Sequence, residues 1–276
     1  MTGEADRKFF RGAARAAGGA IIFALPLLMT LEMWEIGAYI EPWRMVALLC
    51  AMFPLLVFLS FYSGFESTHT ILHDVVDAFV AIAIAALTAA ATLTMFDVVG
   101  DGSSWHAGIG RVGLQLVPGS IGALLAQSQL GASANDDGED RQRGVKARHA
   151  YFGELALMAT GALFLGLNVA PTDEIALLSA RLSIPYVVVI VLFSLLVMHG
   201  FVFAVEFRGH HAGAAPAWSA FARFSVPGYL VAFGVSAFAL WVFGRLDGMS
   251  AEEVLIHSAV LAFPSAVGAA AARLIL

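Results

Sequence analysis

The amino-acid sequence predicts an all-α, polytopic membrane protein of about eight transmembrane helices, arranged as two parallel four-helix repeats. Composition, the number of long apolar stretches and an echo of one helix in another carry that prediction. Hydrophobic residues make up 59% of the chain and charged residues only 13%, about half the charged fraction of a water-soluble domain. Eight apolar stretches fall at 17–38, 43–64, 71–96, 106–129, 150–170, 177–206, 218–243 and 252–275. Each is near the ~20 residues that cross ~30 Å of hydrocarbon. Residues 53–66, FPLLVFLSFYSGFE, are echoed by residues 193–206, FSLLVMHGFVFAVE, at an offset of 140. Pro118, Gly122, Ala123, Ala126 and Leu130 return as Pro264, Gly268, Ala269, Ala272 and Leu276 at an offset of 146. Echoes that keep their order are what a tandem duplication leaves.

The domains follow from this pattern. A tail at 1–16 precedes a first four-helix repeat at 17–130, a linker spans 131–149, and a second four-helix repeat occupies 150–276. The first stretch is too long for a cleaved signal peptide and reads as a retained span. Arg7, Lys8, Arg11 and Arg15 in the tail, with Arg141, Arg143, Lys146 and Arg148 in the linker, place both on the cytoplasmic side by the positive-inside rule. With four spans in each repeat, both termini are cytoplasmic, and a pseudo-twofold along the membrane normal relates the halves. The expected location is a bacterial inner membrane, with the lipid bilayer as first partner and a homo-oligomer in keeping with a dimeric ancestor. Nothing points to nucleic acid. Cys50 is the single cysteine, which excludes an internal disulfide or a cysteine metal cage.

Ionisable and irregular positions inside the spans are the candidates for function, because a central charge costs about 2.5–3.5 kcal/mol on insertion scales. Glu32 falls ~15 residues into the first stretch, and Arg111 enters the fourth at matching depth by 1.5 Å per residue. An ion pair between them is expected, and His257 takes the place of Arg111 in the second repeat. An inner layer holds Asp77, its counterpart Arg223, and His199. Beside it the run Glu66, His69, His73, Asp74 and Asp77 is the densest ionisable segment, and Glu206 echoes Glu66. His73 and Asp77 share a helix face at i, i+4. A proton-sensitive vestibule fits this run better than a metal site, since a turn near 63–70 separates His69 from His73. Gln115 with Pro118 in the fourth stretch, and Pro264 in the eighth, suggest helices broken within the membrane, where freed carbonyls can face an ion path.

The segments GGAIIFALPLLMTLEMWEIG at 18–37, HDVVDAFVA at 73–81 and LQLVPGSIGALLAQSQLG at 114–131 resemble a bacterial family of multi-pass integral membrane proteins, a domain of unknown function. That resemblance covers nearly the whole chain and implies a small single-pass membrane protein as a partner, but no activity or site residues. From the residues themselves, a channel or transporter for a small ion, proton or monovalent cation, is the leading reading. A non-transporting membrane subunit or scaffold is the alternative, and an intramembrane redox protein or enzyme the third. No catalytic motif, cofactor or metal site is evident. Lys8 and Lys146, the only lysines, lie outside the spans and leave no site for a retinal Schiff base.

Overall fold

The computed structural model describes residues 2–63, 71–100, 102, 104–130, 150–206 and 217–275. The linker at 131–149, Glu66 and His69 lie outside them, as does the side chain of Glu206. Among the described residues eight helices are long and apolar enough to cross a membrane. The chain is an all-α polytopic membrane protein. It divides into two compact units, Met1–Ala150 and Tyr151–Leu276.

In the first unit α1 (Thr2–Leu28) is followed by a short α2 (Leu31–Tyr39), then α3 (Pro42–Ser63), α4 (Ile71–Met95) and α5 (Trp105–Leu130). The stretch at 17–38 is therefore not one span. Its membrane-length helix is Phe10–Leu28, starting earlier and ending sooner. Pro26 removes a donor from the last turn, the Thr30 hydroxyl donates to the Pro26 carbonyl, and Thr30 itself is extended, with φ −105° and ψ 119°. The chain restarts as α2 with Glu32 in its first turn, where the helix dipole favours an acid. Counting apolar residues does not register this break, because the residues on both sides are apolar.

α5 is the hub of this unit. It packs on α1, α2, α3 and α4, and 72% of its apolar window is buried against 28% for α3 and for α4. α1 crosses it at Gly19 and Gly122: a Cβ on either glycine would run into the other's carbonyl oxygen. α2 crosses it at Gly37 and Gly110, and a Cβ on Gly37 would lie 2.7 Å from Cα of Arg111. Backbone contact this close is available only to glycine, and it substitutes dispersion for the hydrophobic drive that lipid removes.

The second unit runs α6 (Ala150–Val169), α7 (Glu174–Ser179), α8 (Ile184–Glu206), α9 (Ala217–Ala220), a π turn (Phe221–Ser225), α10 (Val226–Val242) and α11 (Ala251–Ile275). Its first and last long helices also cross on two glycines, Gly161 and Gly268, each blocking a Cβ on the other with its carbonyl. Residues 177–206, like 17–38, divide into a short helix and a span.

Internal registers of the two units coincide. Ala78, Ala81, Ala85, Ala89 and Leu93 are buried on α4, and Ser225, Gly228, Ala232, Ser236 and Leu240, each 147 residues later, are buried too. Both helices close in one way. The Val98 amide donates to the Leu93 carbonyl at 2.9 Å, and the Arg245 amide to Leu240 at 2.8 Å. The preceding residue is left-handed each time, Asp97 at φ 59° and Gly244 at φ 71°, as a helix C-cap requires.

Spans four and eight are not broken at their prolines. α5 and α11 pass Pro118 and Pro264 as continuous α-helices. The irregular turn lies instead at Phe221–Ser225, just ahead of Pro227. Proline there has no N–H for the carbonyl of Arg223, and its ring crowds that carbonyl, so one residue is inserted as a π turn.

Candidate functional site

The polar groups of the first unit lie at its two ends and along the buried middle of α5. At the α2 end, the glycine crossing of α2 with α5 brings Arg111 under the backbone of α2. Its Nε donates to the Trp34 carbonyl at 3.0 Å and its Nη1 to the Val98 carbonyl at 2.6 Å. The expected ion pair with Glu32 does not form, because the break at Thr30 carries Glu32 into α2 while backbone carbonyls take the guanidinium. Four residues along α5, Gln115 is 1% exposed and its Oε1 accepts no hydrogen bond among the described residues. Pro118 is buried on the same helix, and the hydroxyl of fully buried Ser120 also has no partner among the described residues.

At the opposite end of this unit His73 is exposed, while Asp74 beside it is buried at 3% exposure. Asp77 is half-buried and accepts from the Ser60 hydroxyl at 3.3 Å. This contact ties α3 to α4.

The second unit holds the more continuous arrangement. At the π turn the His199 Nδ1 lies 3.1 Å from the hydroxyl of fully buried Ser225, and its ring packs edge-on against Phe221 at 5.3 Å. Arg223, on the same turn, is exposed. Further along α10 come Tyr229 and Ser236, both buried. Ser225, Tyr229, Ala232 and Ser236 follow a spacing of four, three and four, which is one helix face. The Tyr229 hydroxyl is buried without a partner among the described residues. Ser236 donates to the Ala232 carbonyl and reaches the Ser265 hydroxyl on α11, both at 2.8 Å. Ser258, seven residues from Ser265 and so on its face, is fully buried with its hydroxyl unpartnered among the described residues. Beside it the His257 ring is 8% exposed, with Nδ1 2.8 Å from the Glu253 carbonyl. A carbonyl only accepts, so Nδ1 carries the proton and Nε2 is the free nitrogen of the neutral ring. Pro264 is half-buried beside the Ser265 contact.

A largely buried ion pair of the second unit escaped sequence reasoning. Glu154 near the start of α6 meets Arg273 near the end of α11 at 3.0 Å, with the side chains 31% and 10% exposed. The guanidinium also lies 4.2 Å over the Phe224 ring. The serine and tyrosine face of α10 was missed as well, since uncharged residues draw little attention in an apolar stretch; its helical spacing was the available signal.

The family described as "integral membrane protein (DUF2391)" matches residues 12–276. The chain belongs to that family. No curated protein and no solved structure matches it. In this DUF2391 chain the sites are therefore identified by geometry: α10 and α11 carry the buried polar groups Tyr229, Ser236, Ser265, Ser258 and His257, and the half-buried His199 of α8 reaches buried Ser225 at the π turn. Arg111, Gln115 and Ser120 sit in the other unit.

Proposed function

We propose that this protein conducts a small cation across the membrane, the proton being favoured, and that the second unit carries the path. The observation behind this reading is the length of its polar column. From Ser225 in the π turn to Ser236 on α10 is 11 residues, and from Ser265 back to Ser258 on α11 is seven, together ~27 Å at 1.5 Å per residue. That is nearly the ~30 Å of a bilayer core. Tyr229 and Ser258 have no protein partner within it among the described residues, and a polar group left unmet in an apolar setting costs about 1–3 kcal/mol by protein mutational data. Internal water would remove that cost. Hydroxyls, an imidazole and water each donate and accept, which suits relay of a proton. A larger cation needs several oxygen ligands at once.

The polar layers at the ends of the first unit, Arg111 with Gln115 and Asp74 with Asp77, are supporting positions in this reading. We further propose that the two units descend from one four-helix ancestor, with both termini cytoplasmic. The shared glycine crossings, buried registers and C-caps support that origin.

The test is proton flux into liposomes holding the full chain, read with an internal pH-sensitive dye under a potential. Tyr229→Phe removes one oxygen and keeps the volume, and Ser265→Ala breaks the hydroxyl contact in mid-membrane. Each should lower flux at unchanged folded yield. A parent protein that passes no more protons, sodium or potassium than empty liposomes would overturn the reading in favour of a non-transporting subunit.

A further inference from the structure

Arg111 and Asp97 line one cleft without pairing. The cleft, ~390 Å³, opens at the α2 end of the first unit, with Tyr39, Gly100, Ser104 and Ala107 also in its wall. The two carbonyls that hold Arg111 fix its plane but do not neutralise it. Its Nη2 remains available to the cleft, since the Trp34 and Val98 contacts use Nε and Nη1. No carboxylate lies within ion-pair range of it among the described residues. Asp97 is placed as firmly: its backbone is left-handed at the C-cap of α4, and its Oδ1 lies over Gly100, 2.8 Å from where a Cβ would stand. A fixed cation and a fixed anion thus face one space without touching each other.

We propose that this cleft binds a zwitterion, with anionic oxygens on Arg111 and an ammonium on Asp97. A simple anion would gain Arg111 and meet repulsion from Asp97, and a simple cation the reverse. Only a ligand with both charges satisfies both walls. Arg suits the oxygen end because its remaining N–H groups can contact phosphate or carboxylate. The setting selects where such a ligand comes from. Tyr39 and Trp105 are 85% and 90% exposed at this end of the unit, and aromatic side chains so placed mark the headgroup level of a bilayer. A phosphoethanolamine headgroup has both charges at that level; a free amino acid or phosphoethanolamine shares the chemistry.

Lipid retention by the full chain, measured by native mass spectrometry, tests the assignment with phosphatidylethanolamine and with phosphatidylglycerol, which lacks the ammonium. The parent should retain the ethanolamine lipid about fivefold better, the worth of one partly exposed ion pair. Asp97→Asn should remove that preference while leaving glycerol-lipid retention unchanged. Asparagine tolerates the left-handed backbone at least as well as aspartate, so the variant keeps the cap. Arg111→Gln should lower retention of both lipids. Calorimetry with soluble phosphoethanolamine separates the sources: heat saturating with the ligand assigns the site to a free zwitterion as well, and its absence assigns it to lipid. Equal retention of the two lipids by the parent, or an unchanged preference in Asp97→Asn, would overturn the proposal.

Discussion

Adding one methyl group at a helix crossing should separate close packing from mere small-residue composition. Gly18 and Gly19 are neighbours on α1, yet a Cβ on Gly18 would meet nothing within 4 Å, while one on Gly19 would run into the Gly122 carbonyl and the Ala126 Cβ. At Gly122 the added carbon would lie 2.5 Å from the Phe23 Cβ and 2.9 Å from the Gly19 carbonyl carbon. The obstacle is mainly backbone, so no rotamer change relieves it, and α1 must move off α5. Overpacking of a rigid interior costs about 1–3 kcal/mol; Gly19→Ala and Gly122→Ala belong at the upper end. About 3 kcal/mol is more than a hundredfold in the folded-to-unfolded ratio. Gly18→Ala should instead stabilise by roughly 0.5–1 kcal/mol, the helix preference of alanine over glycine. Reversible unfolding in mixed micelles, followed by helical circular dichroism, measures all three. The same sign pattern is expected for Gly268→Ala against Gly234→Ala, since a Cβ on Gly234 also has open space. If Gly19→Ala and Gly18→Ala shift stability alike, backbone contact does not hold α1 to α5.

Three further outcomes follow from the contacts. Arg111→Met should destabilise by roughly 1–3 kcal/mol for each carbonyl left without a donor, whereas Glu32→Gln should be near neutral; a double-mutant coupling beyond about 0.5 kcal/mol would show that the two side chains do meet. Glu154→Gln or Arg273→Met alone should destabilise, by less than the roughly 3–5 kcal/mol of a fully buried pair because Glu154 is partly exposed, and the double variant should recover part of that loss in the same unfolding assay. Pro227→Ala should let the π turn relax towards α-helical pairing and draw Ser225 away from His199, read as a change in the chemical shift of the His199 ring.

Much of the architecture was legible because lipid imposes it. Residues that cross hydrocarbon must be apolar and helical, so composition and length sufficed for eight spans. The short helices were not legible, since Thr30 interrupts an otherwise apolar run and only its extended backbone shows the break. Partners of the charges were harder still. Arg111 invites a carboxylate in any sequence reading, but every residue carries a carbonyl, and which two reach the guanidinium depends on where Gly37 meets Gly110. Asp77 and Arg223 illustrate another limit. They align at an offset of 146, yet the buried faces of α4 and α10 align at 147, and the π turn that contains Arg223 accounts for the extra residue.

That register also bears on where function resides. With α4 and α10 aligned by their buried faces, Ala78 and Ala89 of one stand where Ser225 and Ser236 of the other do. The steric frame is nearly the same, as a methyl and a hydroxymethyl occupy similar space, but the energetics differ. An alanine face packs without further demand, whereas each buried hydroxyl must find a donor or acceptor. A chain under pressure only to keep two packed four-helix units has no reason to hold serines in one and alanines in the other. The polar face of α10 is thus a cost that the equivalent face of α4 does not carry, and a cost of that kind is where a function other than packing is to be sought. If Ser225→Ala and Ser236→Ala together leave stability unchanged or raised while proton flux falls, that division of labour holds; if stability falls with flux, the serines belong to the packing of the second unit.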